Sequence, residues 1–153
     1  MGKSYYMILI LILAFPIGDA MAEPSVHIEP DIVAIIESDG NPLAHNVMEG
    51  AFGQHQIRQC VIDDYNNFGP GKFAPLVIRD MFDPFISSVV ADWYLNKRIP
   101  AMLRYFKVED TVAARLIAYN AGISYARPGV RVRVPPTTLH YIKKYRMLDM
   151  RIE

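Results

Sequence analysis

Glu37 is the residue of this sequence whose surroundings best suit proton-transfer chemistry. It follows an apolar run at residues 32–36 and precedes Asp39-Gly40-Asn41-Pro42, a segment dense in turn-forming residues. The run predicts a helix packed against a core, with Glu37 in its last turn. A carboxyl group there is partly desolvated, which raises its pKa and keeps it protonated near neutral pH, as a general acid requires. The alternative is an ordinary exposed glutamate at a frayed helix end.

Helical spacing dominates the rest of the chain. The sequence predicts helices at residues 31–38, 58–66, 84–99, 100–106, 111–121 and 137–148. Pro84 opens the strongest of them, and Asp110 and Gly122 are the predicted N-cap and C-cap of the fifth. Residues 66–75 and 127–136 are predicted loops, and the glycine-containing stretch 43–57 predicts a small hairpin. We therefore expect one mainly α domain with a small β-hairpin or irregular wing.

The first 22 residues have the composition of an export signal. Lys3 precedes a nearly continuous apolar run at residues 5–17, and Ala20-Met21-Ala22 has the small-x-small pattern of a cleavage site. The apolar run is shorter than the roughly 20 residues that a membrane-spanning helix needs. We predict a signal peptide at 1–22, cleaved after Ala22, and one domain at 23–153 that is exported to the periplasm or cell envelope. The alternative is an uncleaved N-terminal membrane anchor.

Charge and cysteine content argue against several classes of protein. The 16 Lys and Arg balance 16 Asp and Glu, which gives no indication of a nucleic-acid partner. Cys60 is the only cysteine, so no internal disulfide can form, and its apolar-flanked helical setting predicts a buried, inert thiol rather than a nucleophile. No metal site or cofactor is predicted, because no metal-ligand spacing relates His27, His45, His55 and His140.

Several short motifs follow one another along the chain. They are Glu37-Ser38, Gly40-Asn41-Pro42, the glycine-framed segment 50–57 (GAFGQHQI), Asp83-Pro84 with Tyr94-Leu95, the segment 118–122 (AYNAG), and finally Pro136, Thr138, Tyr141 and Ile142. In this order and spacing the chain resembles the soluble lytic transglycosylases of the goose-type-lysozyme-like group. The resemblance extends over about residues 29–146.

The resemblance implies a lysozyme-like, α-rich fold with a groove for peptidoglycan beside the wing. Glu37 stands at the position of the family's single catalytic acid. It would protonate the glycosidic oxygen between N-acetylmuramic acid and N-acetylglucosamine. It would then act as a base while the muramyl 6-hydroxyl closes on C1, which gives a 1,6-anhydro product without water. One carboxyl group therefore serves as acid and then as base.

The resemblance also gives supporting roles to five residues by position. Gln56 would bind the sugar or line the cleft, or else close the hairpin as a satisfied amide. Tyr119 matches the tyrosine whose hydroxyl reaches the catalytic acid, with a core aromatic as the alternative. Ser38 would fix the loop after the acid or cap the helix end. Asn46 would donate a hydrogen bond near the scissile sugar, and Asn120 would brace the backbone more readily than contact substrate.

The chain departs from the family pattern around its glutamine motif. Gln54 and His55 replace the Leu and Met of that motif, and Arg58 stands where a methionine commonly follows. These changes predict a more polar, cationic groove wall, with His55 lining the groove or lying at the surface. They bear directly on substrate preference and on activity.

Two other functions fit the same residues. A lysozyme-type hydrolase of the same fold would need a second carboxylate, for which Glu49 is the candidate, whereas a transglycosylase needs only Glu37. The other is a catalytically idle peptidoglycan-binding module of an envelope-spanning secretion or conjugation machine. The Gln54-His55 departure favours it, and the retained Glu37 and Tyr119 do not. The expected partner is the peptidoglycan glycan strand, bound by a monomer.

Overall fold

The computed structural model describes residues 26–71, 75–129 and 133–151, so the predicted signal peptide lies outside the described residues. Helices α1 to α7 are Pro30–Ser38, Gln59–Phe68, Pro84–Trp93, Ile99–Tyr105, Val112–Asn120, Ile123–Ala126 and Pro136–Asp149. Strands β1 to β3 are His45–Asn46, Ala51–Phe52 and Ile57–Arg58. A 3₁₀ turn at Ile78–Phe82 precedes α3, and a π turn at Tyr94–Arg98 joins α3 to α4. The predicted mainly α fold with a small β wing is confirmed.

The ends of α1 are set by its local sequence. Pro30 occupies the first turn, where its missing N–H costs no helical hydrogen bond. Ile32 is buried in the core, and the helix ends at Asp39, whose backbone is left-handed with a φ of 55°. The backbone N–H groups of Asp39 and Gly40 close the last turn. This geometry places Glu37 in that last turn, as the sequence predicts.

The wing is an antiparallel sheet in the order β1-β2-β3. His45 pairs with Phe52 across β1 and β2, so the predicted hairpin is present and carries a third strand. The turn between β2 and β3 packs on the 3₁₀ turn at Gly53, where φ is 72°. A Cβ at this position would lie 1.9 Å from the carbonyl oxygen of Met81, so only glycine fits. This close contact fixes the wing against the helical body.

Residues 84–106, predicted as two helices, form one helical path through the π turn. The N–H of Ile99 donates to the carbonyl of Tyr94, a hydrogen bond that spans five residues. The widened turn lies directly before Pro100, which has no N–H to continue the α-helical ladder. Leu95 and Ile99 are fully buried, while Tyr94 lines the same groove as Glu37. Such π turns occur often at functional sites.

Both ends of α5 are capped, although one cap differs from the prediction. The Thr111 hydroxyl, rather than the predicted Asp110, accepts from the N–H of Ala114 at 3.1 Å. At the other end Gly122 has a φ of 101°, and its N–H donates to the carbonyl of Ile117 at 3.2 Å, as expected of a C-terminal glycine. The short helix α6 that follows was not predicted.

A buried arginine network attaches the start of α1 to the helical body. The Arg115 guanidinium donates to both carboxylate oxygens of Asp110 at 2.7 and 2.8 Å, and to Oδ1 of Asn96 at 3.0 Å. The Asn96 amide pairs with the backbone N–H and carbonyl of Ile28, each at 2.9 Å. The next backbone N–H donates to the Tyr145 hydroxyl at 2.8 Å. These bonds satisfy a charge that burial would otherwise make costly, and they hold α1 in place.

Candidate active site

A groove with a cavity volume of about 230 Å³ opens between the end of α1, the wing, the start of α2 and the end of α5. Five of the predicted site residues line it: Glu37, Asn46, Gln56, Tyr119 and Asn120. Ser38 and His55 are not among its lining residues. Glu49 and Arg58, which the sequence analysis also considered at this site, line the groove too, and the tertiary structure adds Cys60 and Tyr94 to its wall.

The electrostatic setting of Glu37 suits a proton donor that must also accept a proton. Burial raises the pKa of its carboxyl group from 4.5 to about 7, and the negative charge of Glu49 adds to this effect. The nearby Tyr141 hydroxyl and the positive charge of Arg58 act in the opposite direction. At neutral pH the carboxyl group is thus close to half protonated, so both of its forms are populated.

Two tyrosines lie beside the acid, and they differ from the predicted arrangement. The Tyr119 hydroxyl donates to the backbone carbonyl of His55 at 2.7 Å, although it stays within the electrostatic influence of Glu37. The buried Tyr141 hydroxyl lies near the Glu37 carboxyl group and lowers its pKa, although it makes no hydrogen bond of normal geometry with any described residue. Burial raises the pKa of both tyrosines well above 10, so both hydroxyls are neutral. Tyr141 belongs to the closing motif of the sequence, which was the available signal for this role.

Gln56 and Ser38 shape the turn that faces the acid. Gln56 has a left-handed backbone with a φ of 50°, and its Nε2 donates to the carbonyl of Gly53 at 2.9 Å while the side chain lines the groove. The Ser38 hydroxyl donates to the carbonyl of Gln54 at 2.8 Å. Ser38 therefore ties the end of α1 to the wing and positions the loop after Glu37, as one of its two predicted roles requires.

The two predicted asparagines occupy opposite walls of the groove. Asn46 is exposed on β1, its Oδ1 accepts from the N–H of Glu49 at 3.3 Å, and it lines the groove. Asn120 ends α5, and its Oδ1 accepts from the Thr138 hydroxyl at 2.7 Å. Asn120 thus braces α5 against α7 through a side chain, and it lines the groove as well.

The prediction that Gln54 and His55 make the groove wall more polar is wrong. His55 is fully buried, its Nδ1 lies 2.9 Å from the Ser87 hydroxyl, and burial lowers its pKa to about 4. The Gln54 amide donates to the Ser88 hydroxyl at 3.0 Å. Both side chains point to α3 because the contact of Gly53 with the 3₁₀ turn directs this turn inward. His55 reaches the site only through the carbonyl that accepts from Tyr119.

An ion pair crosses the open side of the wing. A guanidinium N–H of Arg58 on β3 donates to the carboxylate of Glu49, which lies between β1 and β2, and both side chains line the groove. They are 45% and 54% exposed, so the pair is of the weakly stabilising surface kind. Of the three departures from the family pattern, Arg58 alone brings its polar side chain to the groove.

Cys60 is exposed, in contrast to the buried thiol that the sequence predicts. It lies in the first turn of α2 and lines the groove that holds Glu37. The buried face of α2 carries Val61, Ile62 and Tyr65 instead. The apolar flanks of Cys60 therefore misled the prediction, because burial depends on which helix face meets the core.

This placement predicts that alkylation of Cys60 blocks the groove. A bulky maleimide should lower the rate of glycan release from peptidoglycan by at least about tenfold, because the adduct occupies substrate space. The small reagent iodoacetamide should inhibit less. Cys60→Ala should show the same rate with and without either reagent. Equal rates for modified and unmodified wild type would contradict the assigned groove.

The part of the chain that the structure describes contains neither a cluster of metal-ligating side chains nor a membrane-spanning helix. There, no group of three or more His, Cys, Asp or Glu side chains is placed to hold a metal ion. None of the described helices has the length and apolar character needed to cross a bilayer.

The helical body, the small antiparallel wing and the groove with its half-buried carboxyl group define a lysozyme-like domain. The chain matches the model of the Transglycosylase SLT domain over residues 23–131 and belongs to that family. The resemblance seen in the motifs is thereby confirmed. The family is one of lytic transglycosylases, which act on peptidoglycan in the cell envelope. No curated protein and no solved structure matches the chain.

Proposed function

We propose that this protein is a peptidoglycan lytic transglycosylase that uses Glu37 as its single catalytic acid and base. It cleaves the β-1,4 bond between N-acetylmuramic acid and N-acetylglucosamine and leaves a 1,6-anhydromuramyl end. The observation that carries this proposal is the half-buried Glu37 carboxyl group, which faces the groove and has a pKa of about 7. Membership of the Transglycosylase SLT domain family supports the assignment of this carboxyl group to glycan cleavage.

The first step uses the protonated form of Glu37. Its proton passes to the glycosidic oxygen as the bond from that oxygen to the muramyl C1 breaks, so the N-acetylglucosamine part leaves as a neutral alcohol. The raised pKa supports this step because a carboxyl group that ionises near 4.5 would be deprotonated at neutral pH. Positive charge then develops at C1, beside the newly formed carboxylate.

The second step uses the carboxylate that the first step leaves. It accepts the proton of the muramyl 6-hydroxyl while that oxygen bonds to C1, so Glu37 returns to its protonated form and no water is consumed. Tyr141 and Arg58 favour the carboxylate, which prevents the pKa of Glu37 from rising beyond the useful range. The acid step needs groups that raise the pKa of Glu37, and the base step needs groups that lower it. Both kinds of group surround this side chain.

The groove residues provide the contacts that hold the sugar over Glu37. Asn46, Gln56 and Asn120 present amide groups, and Tyr94 and Tyr119 present aromatic surface. Tyr119 also fixes the turn before Gln56 through its hydrogen bond to the backbone. In this role the amides bind sugar hydroxyls, and Ser38 acts only through the position of the wing.

A hydrolase is the second candidate, because Glu49 lies in the same groove and influences the pKa of Glu37. The Glu49 carboxylate forms an ion pair with Arg58, which favours a structural role for Glu49 over the role of a nucleophile or a base. The idle binding module has less support, since a binding surface has no need of a carboxyl group whose pKa is raised.

We also propose that residues 1–22 are removed as a signal peptide and that residues 23–153 act as a monomer in the cell envelope. The charged start, the apolar run and the small residues before Glu23 support export. An envelope-spanning secretion or conjugation machine is a partner consistent with a small wall-cleaving domain.

The test is the mass of the products released from purified peptidoglycan by the full chain. A transglycosylase releases muropeptides that are lighter by one water than the hydrolytic products, and these cannot be reduced with borohydride. Reducible ends would instead establish the hydrolase and direct attention to Glu49. The absence of any product would support the binding module.

A further inference from the structure

Arg58 joins the groove to a second cavity. It is the last residue of β3 and the N-cap of α2, and it lines both the groove of Glu37 and an adjoining space of about 310 Å³. The adjoining space is also lined by Asn120, Tyr125 and Thr137. A ligand that occupies both spaces therefore lies against residues that include Arg58.

The junction carries an exchangeable ion pair, because Arg58 and its partner Glu49 both line the two spaces. The hydrogen bond found for Arg58 among the described side chains joins one Nη2–H to Glu49, whereas a guanidinium carries five N–H donors. Both partners are about half exposed, so the ion pair is weak and another carboxylate can replace Glu49 at little cost. The start of α2 has no acidic residue in its first turn, which leaves its positive end uncompensated there.

We propose that Arg58 is a specificity-determining residue that receives a carboxylate of the peptidoglycan strand at the mouth of the second cavity. This inference rests on the proposed function. The ligand group is a free carboxylate attached to the muramyl sugar, either on its peptide stem or, on a strand without peptide, on its lactyl group. The incoming carboxylate takes the place of Glu49, and a planar guanidinium binds it through two parallel N–H donors.

The location of Arg58 argues for recognition of a ligand carboxylate and against a purely structural role of its ion pair with Glu49. Glu49 and Arg58 already lie on adjoining parts of a wing that Gly53 and Ser38 hold against the helical body. The ion pair adds little to that attachment, because both of its side chains are exposed. A brace would stabilise the wing equally for every ligand, whereas a carboxylate receptor discriminates between ligands.

The experiment measures binding by calorimetry with the full chain carrying Glu37→Gln, which prevents turnover. Three glycan strands of equal length are compared: one with free stem carboxylates, one with those carboxylates capped as amides, and one without peptide but with free lactyl carboxylates. Arg58→Met should weaken binding of the first strand about tenfold, the loss of one charged hydrogen-bonded contact, and should leave the amidated strand unchanged. Arg58→Lys should retain part of the affinity.

The third strand identifies the source of the carboxylate. If its binding depends on Arg58 as much as that of the first strand, the lactyl group is sufficient. If only the stem-bearing strand depends on Arg58, the peptide supplies the carboxylate. Thermal melting of Arg58→Met verifies that the wing remains folded.

The inference is overturned if Arg58→Met changes the affinity for all three strands equally, or for none. Its failure is distinct from that of the proposed function, which product masses test separately with Glu37 intact. A chain that cleaves without Arg58-dependent discrimination refutes this inference alone. A chain that binds carboxylated strands through Arg58 but releases no product refutes the transglycosylase alone. No binding to any strand refutes the inference.

Discussion

Replacing Glu37 by glutamine should lower the rate of product release from peptidoglycan by about a hundred- to ten-thousandfold, the usual contribution of a positioned acid–base group. Glutamine keeps the size and hydrogen-bonding capacity of the side chain but cannot transfer the proton in either step. The rate is measured as soluble muropeptide released per unit time by the full chain, wild type and Glu37→Gln.

Glu49→Gln is the matched control for this prediction. It removes a carboxylate from the same groove, and Glu49 influences the pKa of Glu37 only as a secondary effect after burial. We expect a change of less than about tenfold, because the transglycosylase mechanism requires no second carboxylate. A loss comparable to that of Glu37→Gln would show that two carboxylates act, and an active Glu37→Gln protein would refute the assigned acid.

The same Glu37→Gln substitution should stabilise the fold at neutral and alkaline pH. The pKa of Glu37 is about 7 in the folded state, whereas the ordinary value of 4.5 applies to the unfolded chain. Between pH 4.5 and pH 7 the folded protein therefore binds a proton that the unfolded chain has lost. Its contribution to the free energy of unfolding is intact below pH 4.5 and is lost as the pH rises through 7. The difference corresponds to about 3 kcal/mol at most. Glutamine carries no such penalty.

The measurement is the free energy of unfolding by urea, taken for both proteins from pH 4 to pH 8. The two should be similar near pH 4.5, and the variant should be more stable by about 2–3 kcal/mol at pH 8. His55 has a pKa lowered to about 4, so its own contribution falls as the pH drops from 6.5 towards 4. That contribution is common to both proteins and cancels in the difference. A difference that is constant across this pH range would refute the raised pKa of Glu37.

Local sequence was enough to predict where α1 ends and which residue lies there. Pro30 at its start, the buried apolar run and the turn at Asp39 are nearest-neighbour features, and they place Glu37 in the last turn without reference to the rest of the chain. The hairpin, the helix α3 and the glycine that ends α5 follow from similarly local signals. The order of the motifs then led to the family that the chain was shown to belong to.

Side-chain direction at the turn between β2 and β3 could not be predicted in this way. Gln54 and His55 were expected in the groove, yet they point to α3, because Gly53 packs against the carbonyl of Met81 and turns this segment inward. Such a contact joins segments that are distant in the sequence. The exposure of Cys60 also depends on contacts between distant segments, because the packing of α2 on the core decides which of its faces is covered.

What the sequence by itself determined is thus most of the helices, the position of Glu37 at the end of α1 and the family. What only the tertiary structure decided is the environment of that acid. The Tyr141 hydroxyl acts on Glu37 from α7, and Glu49 and Arg58 act on it from the wing. The physical reason is that helix and turn formation depend on neighbouring residues, whereas desolvation and charge interactions depend on all groups that the fold brings within a few ångströms.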